Sequence, residues 1–331
     1  MEIAGVPLVL WLAFCGLILV FLGLDLGVFH RTAHKVSMKE ALIWTGVWIS
    51  LALAFNAGIF LFWERIQPGS SISSDEAGMA FLAGYLVEYS LSVDNIFVFL
   101  VVFRYFALPE AFRHRILFWG IIGALIFRAI FIAIGAALLE RFTWMMLLFG
   151  AFLIFTGVKM VLIRERKLEP ERNPVVRLFR RFIPVTQTYV AQKFFTRIDG
   201  RLWATPLLIV LLVIEMTDLV FAVDSIPAIF AITSDPFLVF TSNVFAILGL
   251  RSLFFALSGL MERLHLLSYG LAAILVFVGA KMLYGYGEKF VVPEWPKFSV
   301  GLSLAIIATI LAVTVAASLI FQRRLVPRTD S

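Results

Sequence analysis

Apolar runs long enough to cross a lipid bilayer recur along almost the whole chain. A membrane-spanning helix needs about 20 mainly apolar residues. Nine stretches meet this requirement, near residues 5–28, 41–63, 77–103, 115–138, 142–163, 204–232, 236–261, 266–284 and 298–321. Apolar residues make up 61% of the 331 positions and the mean hydropathy is +0.97, which excludes an ordinary soluble domain. The runs predict an all-α polytopic membrane protein that forms a single membrane domain over residues 1–331.

Lysine and arginine fall mainly on one side of the predicted helices. If the N-terminus lies outside, the inner loops and the C-terminal tail hold 20 of the 28 basic residues, and the outer loops hold four. Because cytoplasmic loops are enriched in basic residues, we expect an external N-terminus and a cytoplasmic C-terminus. This distribution also explains the net charge of +6 without nucleic acid as a partner. The first run lacks the features of a cleavable signal, so we expect it to remain as a helix.

One long loop, residues 164–203, separates the fifth run from the sixth. It carries ten basic and four acidic residues. Apolar spacings of three and four over residues 175–183 predict a short amphipathic helix on the inner leaflet. Further along, Asp199-Gly200 lies between apolar residues and predicts a small hairpin. The simplest interpretation of the loop is a cytoplasmic tether between two halves of the membrane domain.

Residues 77–163 and 204–284 share charged positions in the same order and at similar spacing. The aligned pairs are Glu88 with Asp218, Asp94 with Asp224, Arg128 with Arg251, and Lys159 with Lys281. Each copy holds three helices, an odd number, so the second copy must enter the membrane from the opposite side. We therefore predict two inverted repeats, flanked by two N-terminal helices (5–63) and a final helix (298–321). Such repeats place a binding site near the bilayer midplane and allow two gates related by pseudosymmetry.

Acidic residues outnumber basic ones inside the central runs. The set consists of Glu88, Asp94, Glu215, Asp218 and Asp224, with Arg128 and Arg251. An ionised group at the bilayer centre costs about 2.5–3.5 kcal/mol even on the more lenient insertion scale. The surplus of negative charge therefore predicts a cation or protons as counter-charge, with the two arginines in gating or charge-balancing roles. The alternative is that each arginine pairs with one acid and the other acids are simply protonated.

The ligand types around these acids are all oxygen donors. Asn95 and Ser225 lie beside Asp94 and Asp224, and Asn243 is an additional candidate. Such a site suits hard divalent cations such as Mn, Mg or Ca rather than Zn or Cu. The single cysteine excludes an internal disulfide and a cysteine metal cluster.

A regular helix in the sixth run would not point Asp218 and Asp224 at the same site, because the two residues do not share a helix face. Pro227 cannot donate to the carbonyl of Val223, so we expect the sixth helix to break near Asp224 and to free a ligand oxygen. A kink that serves only packing is the alternative interpretation.

Several of these segments resemble the TerC family of integral membrane proteins, and within it the longer Alx-like members. The segments are Gly84-Tyr85-Leu86-Val87-Glu88 through Asp94-Asn95, Phe149-Gly150-Ala151-Phe152, Thr156-Gly157-Val158-Lys159-Met160, Phe221 through Phe230, Thr241-Ser242-Asn243 and Gly249-Leu250-Arg251. The resemblance covers about residues 5–320. It implies a manganese exporter of the bacterial inner membrane, with older names tied to tellurium resistance and alkaline response, and it implies that the five acids are functional.

We therefore expect a secondary transporter that exports a divalent metal cation, most simply Mn(II) by proton antiport, rather than an enzyme. The expected partners are the metal ion, protons and membrane lipid, with no prosthetic group; the residues leave the oligomeric state open. Glu88, Asp218 and Glu215 are the candidate proton carriers. One alternative is an intramembrane aspartyl hydrolase that uses Asp94 and Asp224 as an acid dyad. Another is a membrane scaffold or sensor in metal or tellurite stress.

Overall fold

The structure is a computed structural model that describes most of the chain. The described residues are 2–3, 6–27, 37–68, 70, 72–162, 181, 183–258, 266–291, 295–296 and 298–321, with the backbone alone at 2–3, 24–27, 94, 97 and 224. The described residues form ten helices, which are α1 (Leu8–Gly27), α2 (Met38–Ile66), α3 (Ser74–Tyr105), α4 (Glu110–Arg141), α5 (Met145–Leu162), α6 (Pro206–Phe230), α7 (Pro236–Leu248), α8 (Leu250–Leu257), α9 (Leu267–Phe290) and α10 (Val300–Phe321). Two antiparallel hairpins are formed by β1 (Glu2–Ile3) with β2 (Val6–Pro7), and by β3 (Phe195–Ile198) with β4 (Arg201–Ala204).

The helices correspond to the nine predicted runs. Seven of them, α2 to α6 with α9 and α10, are long and apolar enough to cross a membrane, and α7 with α8 forms an eighth candidate span. The first run is α1, whose apolar stretch Leu8–Gly23 is shorter than the others. The prediction of a mainly helical polytopic membrane protein is therefore confirmed.

Polar side chains at the loop ends fix where several helices begin. Ser73 and Glu76 form a reciprocal capping box at the start of α3. Asp235 caps α7, where its carboxylate accepts the backbone N–H groups of Phe237 and Leu238 at 2.9 and 3.0 Å. Burial raises the pKa of Asp235, although these two N–H groups and the Gln67 side chain favour its ionised form.

The predicted break at Pro227 is wrong, because α6 runs without interruption from Pro206 to Phe230. A proline removes one N–H donor, but packed neighbouring helices tolerate it within a membrane helix. The helical hydrogen bond after the proline is kept, because the backbone N–H of Ala231 donates to the carbonyl oxygen of Pro227 at 3.0 Å. The chain bends instead in the seventh run, by 42° at Gly249, where α7 ends and α8 begins.

Helices of one candidate repeat pack mainly against helices of the other repeat. The first helix of one copy packs on the second helix of the other, as α3 on α7 and α4 on α6, and the two third helices, α5 and α9, pack on each other. A two-fold pseudoaxis relating the copies would produce this packing. The inverted arrangement remains a prediction that this packing supports.

Glycines let the backbones of α5 and α9 approach each other closely. A Cβ atom placed on Gly150 would lie 2.9 Å from the carbonyl oxygen of Gly279, and one placed on Gly279 would lie 2.7 Å from that of Gly150. A Cβ atom on Gly157 would lie 2.7 Å from the carbonyl oxygen of Ala272. The repeat alignment matches Gly157 with Gly279, and therefore Gly150 with Ala272. The contact between Gly150 and Gly279 thus corresponds, under the alignment, to the contact between Ala272 and Gly157.

The hairpin predicted in the long loop is confirmed. Strands β3 and β4 pair through Asp199 and Gly200, whose φ angles are 51° and 76°. The segment before it packs on the connection between α3 and α4, where Tyr189 donates its hydroxyl to the carbonyl of Phe106 at 2.7 Å. The predicted amphipathic helix over residues 175–183 lies outside the described residues, except for Arg181 and Ile183.

Candidate functional site

A buried arginine on α4 joins polar side chains from three neighbouring helices. Arg128 of α4 is 2% exposed, and its Nη1 atom donates to Oε1 of Glu88 on α3. The same nitrogen lies 3.1 Å from Oδ1 of Asn243 on α7 and 3.3 Å from Oγ of Ser225 on α6. Its Nη2 atom lies 3.6 Å from Oδ1 of Asp218, also on α6. These five residues are called the Arg128 cluster below.

Glu88 has a partner for each of its carboxylate oxygens. Arg128 contacts Oε1, and the side-chain amide of Asn243 donates to Oε2 at 3.2 Å. Asn243 thus accepts from the arginine and donates to the glutamate, which fixes the orientation of its amide. Because Glu88 is fully buried, an ionised carboxylate there depends on this pairing.

Two other acids keep an oxygen without a hydrogen-bond partner among the described residues. They are Asp218, at Oδ2, and Glu215, at Oε2, which lies one turn earlier on α6. The carboxylate of Glu215 rests directly on the backbone of α4, since a Cβ atom on Gly123 would overlap it. Sequence reasoning did not identify Gly123. The available signal was the pair Gly120 and Gly123, because small residues spaced along a membrane helix allow close approach.

The charges of this region do not balance. One guanidinium contacts Glu88 and Asp218, and Glu215 lies one turn from Asp218 on α6, so two negative charges remain if all three carboxyl groups are ionised. Charges removed from water are costly unless they are paired. A cation or protons can supply the missing positive charge, and Asp218 and Glu215 have the free oxygens to receive it.

Other candidate residues are placed less fully by the structure. Asp94 and Asp224 lie within α3 and α6, but their side chains are outside what the structure describes, so their roles stay predictions. Asn95 is buried on α3, and Arg251 is buried at the start of α8, where it has an interaction partner. Within the described part of the chain, no group of three or more His, Cys, Asp or Glu residues is placed to hold a metal ion.

A bundle of apolar helices around a buried cluster of opposite charges defines an integral, multi-pass membrane protein with a polar interior site. The chain belongs to the integral membrane protein TerC family, which it matches over residues 73–325.

Relatives from several bacteria align with nearly the whole chain. An uncharacterised membrane protein of Myxococcus xanthus is 49% identical over 97% of this chain and 95% of its own length. The "Putative membrane-bound redox modulator Alx" of Escherichia coli (strain K12) is 44% identical over 95% of each chain. An uncharacterised membrane protein of Rickettsia bellii is 36% identical over 94% of this chain and 97% of its own length. No solved structure matches the chain.

Proposed function

We propose that this chain is a secondary transporter that exports a divalent cation, Mn(II), in exchange for protons. The observation that carries the proposal is the Arg128 cluster, in which one guanidinium joins carboxylates from α3 and α6. These two helices are the first helices of the two predicted repeats. A charged site at the interface between inverted repeats is the arrangement on which secondary transporters rely.

The donor set favours a hard divalent cation. Asp218, Glu215, Ser225 and Asn243 bring carboxylate, hydroxyl and amide oxygens towards α4, and such oxygens suit Mn(II), Mg(II) and Ca(II). In the proposal, Asp94 and Asp224 complete the ligand set, with Asn95 beside them. The choice of Mn(II) among these ions comes from the resemblance to manganese exporters.

Proton exchange follows from the same imbalance of charge. Like charges held close together in a medium of low dielectric constant cannot all stay ionised when a cation leaves, whereas a bound dication favours the ionised carboxylates. Metal binding would therefore release protons. Because Arg128 and Asn243 already satisfy both oxygens of Glu88, we assign proton transfer mainly to Asp218 and Glu215.

Arg128 would link the two repeats during this exchange. It contacts Glu88 directly and reaches Asp218 across 3.6 Å, so a cation bound at Asp218 would compete with the guanidinium. Competition of this kind loosens the link between α4 and α6 when the site is loaded. Arg251 takes the matching position in the second repeat and is proposed to balance charge there.

The name of the Escherichia coli relative refers to redox modulation. The single cysteine of this chain offers no internal dithiol couple, so a redox effect would arise through the transported metal rather than through thiols of this protein.

A hydrolase that uses Asp94 and Asp224 would leave the Arg128 cluster without a role, and a scaffold or sensor would not need this cluster. We place the protein in the bacterial inner membrane, with the N-terminus outside.

The test is the release of protons when Mn(II) is added to purified protein in weakly buffered detergent. Binding should release protons, and the affinity should rise with pH between about 6 and 8. Asp218→Asn should reduce the number of protons released, whereas Asp75→Asn, at an exposed position of α3, should not. A constant affinity across this range with no proton release would replace antiport by uniport. Absence of Mn(II) binding would contradict the transport proposal itself.

A further inference from the structure

Buried apolar side chains cover the Arg128 cluster on the side where α4 and α6 end. Each of three aliphatic residues lies one helical turn from a member of the cluster. They are Ile132 after Arg128 on α4, Ile229 after Ser225 on α6, and Val239 before Asn243 on α7. All three are buried and belong to one hydrophobic cluster with Phe230. Ile132, Ile229, Phe230 and Val239 are called the outer layer below.

A cavity of about 1060 Å³ lies directly beyond the outer layer. Ile132 and Phe230 belong to the outer layer and also form part of the cavity wall. Along α4 the wall includes small residues such as Ala133, and the charged residues Glu140 and Lys289 also line the cavity. The cavity therefore extends from charged residues near the ends of α4 and α9 to Ala129, which follows Arg128 on α4.

The repeat alignment predicts a matching layer on the opposite side of the cluster. It pairs Ile132 with Phe255, Ile229 with Phe99, and Val239 with Ile116. Phe99 and Ile116 are buried in a second hydrophobic cluster, and Phe255 packs against that cluster. These three residues are called the inner layer. Tyr189 and Phe194 from the long loop pack on the same cluster, so the inner side has additional cover.

We propose that the outer layer is the external gate of the transport pathway and that the cavity is its vestibule; this inference rests on the proposed transport function. An apolar layer without polar ligands blocks a hydrated cation, because the ion would lose its water without compensation. Phe230 is the last residue of α6, and its ring lies against α4, where a Cβ atom on Gly135 would be 2.9 Å from Cε2. Movement of this ring can open the layer without unwinding α6.

Cysteine accessibility tests the vestibule and the gate separately. Cys15 lines the cavity and is first replaced by Ser. Ala133→Cys then reports on the cavity, and Ser225→Cys reports on the cluster beneath the layer. A small cationic methanethiosulfonate reagent is added to one face of the membrane at a time, with intact cells and with inside-out vesicles. We expect rapid reaction of Ala133→Cys from one face only, and slow reaction of Ser225→Cys from that same face.

Two isoleucines of α4 provide a matched pair of gate variants. Ile132 belongs to the outer layer and Ile116 to the inner layer, and both are almost fully buried. In the Ser225→Cys background, Ile132→Ala should accelerate labelling from the cavity face by about tenfold or more, because the truncation leaves a void in the layer. Ile116→Ala should leave that rate unchanged. Phe230→Leu, a milder change, should also accelerate it and guards against misfolding of Ile132→Ala.

Three results would overturn the inference. Reaction of Ala133→Cys with an apolar maleimide but not with the cationic reagent would mean that lipid fills the cavity. Equal acceleration by Ile132→Ala and Ile116→Ala would mean that the outer layer is no selective barrier. Unchanged labelling in both Ile132→Ala and Phe230→Leu would contradict the gate. Since the measurement uses no metal, it separates a failure of the gate from a failure of the proposed transport function.

Discussion

At the scale of single residues, Arg128 determines whether the interior acids are tolerated. It is the only described basic side chain in contact with Glu88 and Asp218, and both acids are almost fully buried. Removing one partner of a buried ion pair destabilises a protein far more than the intact pair stabilises it, because an uncompensated charge remains. Much of the tolerance for these acids in an apolar bundle therefore depends on one guanidinium.

The first prediction concerns this arginine. Arg128→Ala should destabilise the folded protein by about 3–5 kcal/mol, since Glu88 and Asp218 lose their counter-charge. Arg128→Lys should recover only part of this loss, because a single ammonium cannot replace contacts made by both Nη atoms. Thermal unfolding in detergent measures both effects, with Arg141→Ala at the exposed end of α4 as the control. Equal stability of Arg128→Ala and Arg141→Ala would rule out the described cluster.

The second prediction concerns Asp94 and Asp224, which the repeat alignment pairs. Each Asp→Asn substitution should weaken Mn(II) binding strongly while the protein stays folded, because an amide cannot supply the charge that a dication requires. Calorimetry in detergent measures the affinity, and Asp75→Asn again serves as the control. Binding by either variant as tight as that of the parent protein would refute a shared site.

At the scale of helices, the sequence predicted positions better than shapes. The nine helical runs were readable, because hydrophobic length is a local property of the chain; among the described residues, seven of the runs are single helices long and apolar enough to cross a membrane. The position of the bend was not readable from the sequence, since Pro227 remains inside α6 while Gly249 ends α7. Where a membrane helix bends depends on which backbone groups the neighbouring helices satisfy. For the same reason, the partners of Arg128 and the contact between Glu215 and Gly123 required the structure.

The third prediction tests the close contact between α5 and α9. Gly279→Ala should destabilise the protein by about 1–3 kcal/mol, because the new methyl group would meet the carbonyl oxygen of Gly150 at 2.7 Å. Gly285→Ala, on the same helix, meets only the end of Met146 at 3.9 Å and should be tolerated. Thermal unfolding of the two variants provides the comparison. A Gly279→Ala protein as stable as Gly285→Ala would show that the helices do not pack in this way.

At the scale of the whole molecule, the distribution of basic residues predicts the orientation in the membrane. The fourth prediction is that residues near 170 are cytoplasmic and residues near 290 are external. Single cysteines introduced at these two places, after replacement of Cys15, can be treated with an impermeant thiol reagent on intact cells. Labelling near 290 with protection near 170 is expected. The reverse pattern would invert the topology and would place the proposed gate on the cytoplasmic side.

The fifth prediction addresses the proposed export of Mn(II) in exchange for protons. The most direct measurement is Mn(II) flux into inside-out vesicles that contain only this protein, with a pH indicator inside. Mn(II) should enter while protons leave, and Asp218→Asn should abolish both movements, whereas Asp75→Asn should preserve them. Mn(II) entry without proton movement, or equal flux in Asp218→Asn and the parent protein, would contradict the account.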